Sequence, residues 1–445
     1  MWAKGELRRS DETCDSKSRR DFVPLLKTRR NENSTFVHNG CERSVVGKTV
    51  HWSRCCFCSV RVIAVSNERL VPADIPTPDD EVLDLLRLNL VPGVGPRMQR
   101  NLLDFFGSAE DIFKADLRLL EQVEGIGPKL ARLISVAKNS DDAVNEWRQC
   151  CERNVSLFRN GEGSYPRNLS EISDAPMLLY GRGTIEPRDD LAVAIVGSRR
   201  CTHYGLQQAE KIARSLAMAG ITVVSGLARG IDAAAHRGAL AGGGRTIAVL
   251  ATGLLNIYPP EHLDLAKDVA ASGALVCEMK LNQHPSPGLF PQRNRIISGL
   301  SLGVIIIEAQ RKSGSLHTAR HAMEQGREVM AVPGQIDSLA SEGSNDLIRD
   351  GATLIRNADD VFESLGPLIE PVRTSNETEV RSPRELTLND QELSVLNLVT
   401  TQARSIDEVL REATIEPSRV LATLTILEMK RMVKRLPGGM LVRLT

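Results

Sequence analysis

Six short apolar runs, each closing on small or polar residues, restrict the fold of this 445-residue chain more than any other feature. They read LAVAIVGS (191–198), ITVVSG (221–226), TIAVLATG (246–253), ALVCEM (274–279), LGVIIIEA (302–309) and EVMAVPG (328–334). Runs this continuous do not alternate between apolar and polar faces, so they suit strands covered on both sides, as in a parallel sheet. Helical segments lie between several of them, at 205–219, 232–241 and 315–326. The alternation predicts an α/β core over residues 150–365: a doubly wound parallel sheet with helices on both faces.

Other segments flank this core. Residues 1–75 are polar and aperiodic and are expected to be a disordered extension. A breaker, VPADIPTPDD (71–80), ends it, and helical periodicity follows. LVPGVGPRM (90–98) and QVEGIGPKL (122–130) repeat one device: apolar-x-Gly-apolar-Gly-Pro, a basic residue, then a helix. This is the helix-hairpin-helix pattern, placed over 76–145. Its glycines permit a tight turn, and its proline opens a helix whose first amides can meet a phosphate. Such pairs also serve purely as packing modules. Residues 366–386 are polar and proline-bearing, a linker. Over 387–445 three short helices and VKRLPGGMLVRL (433–444), a hairpin turning on Pro437-Gly438-Gly439, suggest a winged helix.

Charge is balanced, 56 basic residues against 56 acidic, so any polyanion site is a local patch. No stretch reaches about eighteen apolar residues and none forms an apolar signal segment, so no membrane partner is expected and a cytoplasmic location is. Aromatic residues are 4% of the chain, too few for a long stacking platform. Cys55 and Cys58 form one C-x-x-C with Cys41 and His51 nearby, but no second pair at finger spacing, so no metal is expected.

In open α/β sheets ligands bind at the carboxyl ends of the strands. Those ends carry Gly197, Ser198, Arg199 and Arg200, then Ser225, Gly226, Arg229 and Gly230. A loop before LGVIIIEA holds Phe290, Arg293, Asn294 and Arg295, and the loop after it holds Lys312, Ser313, Gly314 and Ser315. Small residues let phosphate approach bare backbone, and arginines supply forked donors. Neither G-x-G-x-x-G nor G-x-x-x-x-G-K-[ST] occurs, and no triad or carboxylate cluster is apparent, so no catalytic residue and no cofactor is assigned. Asp232 and His236, four apart on a helix, are read as structural, Asp232 capping the helix and His236 bonding to it.

GSRRCTHYG, VVSGLARGIDAAAHRGAL, FPQRNRIISGL, SGSLHTARHAMEQGREV and AVPG…EGSNDLIRDGA together resemble the DNA-processing protein A family, DprA or Smf, over about 160–358. The resemblance implies a Rossmann-like core and a homodimer that binds single-stranded DNA and hands it to the RecA recombinase during natural transformation and homologous recombination. It places the family's G-S-R phosphate contact on Gly197, Ser198 and Arg199. Its S-G-L-A-x-G-I-D segment falls on Ser225 to Asp232, and its R-N-R-I-I motif on Arg293 to Ile297. CEMKLNQHPSP (277–287) departs from the family, which usually has Ser before the glutamate that is here Glu278.

The competing enzyme reading is a nucleotide-cleaving phosphoribohydrolase of the lysine-decarboxylase-like group, whose signature is P-G-G-x-G-T-x-x-E. Here the region reads SGSLHTARHAME, without paired glycines and with Glu324 at another spacing. A pure protein-interaction scaffold explains the flanking modules but not the Arg/Gly strand ends. Truncation at about residue 76 is expected to leave folding and DNA binding intact. An aggregated or DNA-blind truncation would overturn that expectation.

Overall fold

The computed structural model describes residues 78–367, 372–373 and 379–444, with the backbone of three short strands, Phe36–His38, Cys41–Val46 and Thr49–His51. Those three pair as an antiparallel meander within the stretch expected to be disordered. The Cys55/Cys58 pair lies outside the described residues.

The core sheet has nine strands: β1 (Ser156–Arg159), β2 (Leu178–Gly183), β3 (Ala192–Gly197), β4 (Thr222–Ser225), β5 (Thr246–Val249), β6 (Ala274–Cys277), β7 (Gly303–Ile307), β8 (Glu328–Ala331) and β9 (Thr353–Leu354). Their order is β9-β8-β7-β3-β4-β5-β6-β2-β1. From β9 through β6 all neighbours are parallel, while β2 and β1 add an antiparallel edge. The six apolar runs are β3 to β8. Both faces of β3 are covered, and its side chains alternate between two cores. Val193 and Ile195 join one core. Ala192, Ala194 and Val196 join the other.

Helices α1 (His203–Met218) and α2 (Ile231–Ala241) cover the first face, and α4 (Leu289–Gly299) and α5 (Ser315–Glu324) the second, with α3 (Leu263–Ser272) between β5 and β6. The chain winds from β3 outward to β6, then returns to lay β7 on the other side of β3. That reversal opens a crevice at the carboxyl ends of β3 and β7, where a doubly wound sheet binds its ligand.

In the helix-hairpin-helix region both turns form as the repeat predicts. Gly93 and Gly125 have φ of +93° and +88°. Gly95 and Gly127 precede helices that start at Pro96 and Pro128. The turns pack reciprocally: a Cβ on Gly93 would lie 3.7 Å from Leu130, and one on Gly125 3.6 Å from Met98. Leu88, Leu102, Ile112 and Ile134 fill this small core. Leu85 and Leu86 pack instead with Leu178 and Tyr180 of β2, fastening the module to the sheet.

The C-terminal segment forms helices Asp390–Asn397, Ile406–Glu412 and Pro417–Met429 and a three-stranded sheet whose hairpin turns at Gly438 and Gly439, both at positive φ. The stretch expected to be a linker is, where described, packed rather than free. Val372 and Val380 are buried in the first core, and Glu385 makes a buried ion pair with Arg443 at 2.6 Å. With its apolar residues sparse and unperiodic, this stretch reads as solvated in sequence, yet Val372, Val380, Pro383 and Glu385 are all buried.

Candidate nucleic-acid interface

The crevice between β3 and β7 is a cleft of about 820 Å³. Its floor begins at Gly197, opposite Ile307 in the β3–β7 register. A Cβ there would lie 1.8 Å from the Ile307 carbonyl oxygen and 2.7 Å from Ile231 Cγ1, so only glycine lets strand and helix close so tightly. The next residues are pinned on both sides. Ser198 N–H donates to the Glu308 carbonyl at 2.7 Å, and the Ser198 carbonyl accepts from Ile231 N–H at 3.3 Å. Gly230, at φ +76°, lets α2 begin against this loop, where a Cβ would meet the Ser198 carbonyl at 2.4 Å. With its backbone fixed, the loop presents Arg199 and Arg200 to solvent at the cleft.

Arg199 lies over the Phe290 ring, its guanidinium carbon 4.9 Å from the ring centre. Phe290 meets Tyr258 edge to face at 5.8 Å, and Arg229 lies 5.9 Å from the Tyr258 centre. The result is a row, arginine–phenylalanine–tyrosine–arginine, whose first three members line one wall while Arg229 stands beside it. The facing wall is the loop after β7, where Lys312 is exposed and the Ser313 and Ser315 hydroxyls pair at 2.8 Å. Asn294 supports that wall by donating to the Gly314 carbonyl at 3.1 Å.

Gly197, Ser198, Arg199, Phe290, Arg293, Asn294 and Lys312 to Ser315 thus line one cleft. Other expected residues stand behind or beside it. Ser225 is fully buried and donates to the Ile195 carbonyl at 2.6 Å. A Cβ on Gly226 would lie 2.3 Å from Arg293 Nη1, so this glycine makes room for a guanidinium. Arg229 is exposed but ion-paired with Glu261.

Arg293 and Arg295 require correction: they belong to helix α4 rather than to a loop, and both are buried. Arg293 donates to the carbonyls of Gly226 and Val249, and burial pushes its pKa down to about 10. Arg295 points away from the cleft. It grips Glu278 through Nη2 at 2.5 and 2.7 Å and donates to the Asp174 carbonyl at 2.7 Å. Both guanidinium groups join elements far apart in sequence.

The Asp232–His236 pairing is also corrected. Gly230 is the helix N-cap, and Asp232 accepts from Gly226 N–H at 3.2 Å, bracing the loop after β4. Burial holds the Asp232 carboxyl above the usual range, opposed mainly by the nearby Arg293 charge. His236 is fully buried, with Nδ1 2.7 Å from Thr246 Oγ1 on β5. Burial lowers its pKa from 6.5 to about 3. Below pH 6.5 the unfolded chain binds a proton that the native site refuses. This part of the stability is therefore complete above pH 6.5 and falls with acid by up to about 1.4 kcal/mol per unit. Chemical denaturation from pH 7 to 5 should show a shallower slope for His236→Asn than for wild type, and equal slopes would refute the assignment.

Two contributors escaped the sequence reading. Tyr258 sits in an irregular loop with no periodic signal, and Glu308 follows β7 as an apparent strand end. The Glu308 carboxylate, 4% exposed, accepts from Thr202 N–H at 2.7 Å and from the Thr202 hydroxyl at the start of α1. Among the described residues lining the cleft, Asp232 is the sole acid, and no histidine or cysteine joins it.

Residues 156–366 match the family model for DNA recombination-mediator protein A, 379–439 the DprA winged helix domain, and 83–137 a SAM-like helix-hairpin-helix tandem. Protein Smf of Escherichia coli is 37% identical over 309 residues, 69% of this chain and 82% of that protein. Protein Smf of Synechocystis is 39% identical over 286 residues, 63% of this chain and 72% of that protein. The X-ray structure of DNA processing protein A from Streptococcus pneumoniae aligns with TM-score 0.57 at 32% identity, covering 65% of this chain and 99% of that one.

Proposed function

The chain belongs to the DNA recombination-mediator protein A (DprA/Smf) family, and we propose that it holds single-stranded DNA by its phosphate backbone in the cleft between β3 and β7. One observation carries the reading: exposed Arg199, Arg200 and Lys312 converge on a floor whose glycine admits no side chain. Such a surface receives phosphates without reading base edges. Phe290 and Tyr258 offer ring faces to unstacked bases, which a single strand can present and a duplex cannot. Asn294 supports the Gly314 wall and Arg293 and Asp232 brace the loop after β4 at Gly226, while Arg295 ties α4 to Glu278 and Asp174 away from the cleft. In this reading the chain acts in the cytoplasm as a homodimer, delivers the strand to the RecA recombinase in recombination and DNA uptake, and catalyses no reaction itself.

The phosphoribohydrolase alternative is not favoured. Glu324 lies outside the cleft lining, at the end of α5, within 3.5 Å of His321. Filter binding with labelled oligonucleotides, run beside a nucleotide-hydrolysis assay, tests the choice. Saturable binding of single strands, weaker binding of duplex and no hydrolysis are expected. Nucleotide cleavage, or no preference for single strands, would sink the reading.

A further inference from the structure

In doubly wound folds the helix after the first βα turn aims its N-terminal amides at a phosphate. Here α1 follows the Gly197-Ser198 turn of β3, and an acid from the neighbouring strand already stands at its start. Thr202 N–H and the Thr202 hydroxyl both donate to the Glu308 carboxylate, while Gly205 N–H donates to the Thr202 oxygen at 3.2 Å. A Cβ on Gly205 would lie 2.6 Å from Glu308 Cδ and Oε2, so the first turn of the helix carries a glycine that admits that carboxylate. Glu308 sits at φ +49°, and its own carbonyl accepts from Ser198 N–H at 2.7 Å. One residue therefore fixes the turn and fills the helix end.

We propose that Glu308 is a built-in anion that occupies the fold's phosphate position, so that the cleft refuses mononucleotide phosphates and leaves Arg199 and Arg200 to a polynucleotide. Glu308 is a specificity-determining residue in this scheme: it acts on the helix end rather than on the strand. The geometry also explains how a nucleotide-type turn can lack the third glycine of a dinucleotide loop. No phosphate has to reach α1. Naming a polynucleotide as the accepted ligand rests on the function proposed above, but the exclusion of small phosphates does not.

The test uses the full chain, with Glu308→Ala and Glu308→Gln, and inorganic phosphate as probe against chloride at matched ionic strength. Calorimetry should show saturable phosphate binding to Glu308→Ala, at least about tenfold tighter than to wild type, because a vacated helix end attracts an anion. Glu308→Gln fills the space without charge and should gain no site. Phosphate should raise the unfolding temperature of the alanine variant alone. Equal phosphate binding by wild type and Glu308→Ala would overturn the proposal. Should Glu308→Ala fold only in phosphate, that rescue supports it. Should it fold in neither buffer, wild type decides: adenosine monophosphate at matched ionic strength should weaken oligonucleotide binding no more than chloride, and specific displacement overturns the idea. Absence of oligonucleotide binding throughout would sink the DNA reading instead, while a phosphate gain in Glu308→Ala would still stand.

Discussion

Gly197→Ala is expected to cost about 3 kcal/mol or more of folding stability, beyond the usual range for one added methyl in a core. The new Cβ would lie 1.8 Å from the Ile307 carbonyl oxygen, and 2.7 and 3.0 Å from Cγ1 and Cβ of Ile231. Neither neighbour can retreat cheaply. Ile307 belongs to β7, which is hydrogen-bonded between β3 and β8. Ile231 opens α2 and is fully buried in the core beneath it. Relief would require β3 and β7 to part at the mouth of the cleft. Gly314→Ala on the facing wall is the control, since a Cβ there meets nothing within 4 Å. Urea midpoints should separate the two variants clearly, the second staying near wild type. If Gly197→Ala unfolds within about 1 kcal/mol of wild type, the tight closure described here is wrong.

The fold was legible where burial on both faces left an uninterrupted apolar record. The six runs from Leu191 to Gly334 are β3 to β8 for that reason. The three remaining strands left no such record. β1 is an edge strand of partly exposed residues, and β9 is two residues long. β2 ends in Gly-Arg-Gly, which reads as a turn. The hairpin turns of the N-terminal module were legible because positive φ demands glycine at Gly93 and Gly125.

The site divides in the same way. Gly197 to Arg199 could be placed at the cleft locally, because a strand end followed by glycine and arginine sets bare backbone and an exposed cation at the carboxyl edge of the sheet. Arg293 and Arg295 could not. An arginine pair in sequence suggests a ligand, but their acceptors lie on Gly226, Val249 and Glu278, joined only by the fold. Glu308 and Thr202 are 106 residues apart, and His236 reaches across to β5 instead of four residues back along its helix. Local spacing names the exposed cations; it cannot find the buried partners that hold them.

This division sharpens the second large effect. Arg199→Ala should weaken single-strand binding by about 1.5–3 kcal/mol, as expected for loss of a charge-assisted bond to phosphate. It should leave folding nearly unchanged, because Arg199 is exposed and its ring partner Phe290 is otherwise packed against Tyr258. The slope of log affinity against log salt should fall by about 0.7, the contribution of one phosphate on a single strand. Arg293→Ala should behave differently. It removes the charge that faces buried Asp232 and the donor shared by two carbonyls, so its main cost, about 3 kcal/mol, should appear in stability. Binding by the folded Arg293→Ala fraction should keep the wild-type salt slope if the arginine only supports the cleft. A slope lowered by one phosphate would mean that it leaves its carbonyl partners to grip DNA. Homopolymers of each base complete the measurement: backbone holding predicts a steep slope and slight base preference. A shallow slope with strong preference for one base would transfer the binding energy from Arg199 to Phe290 and Tyr258, and the cleft would then be a base pocket rather than a phosphate one.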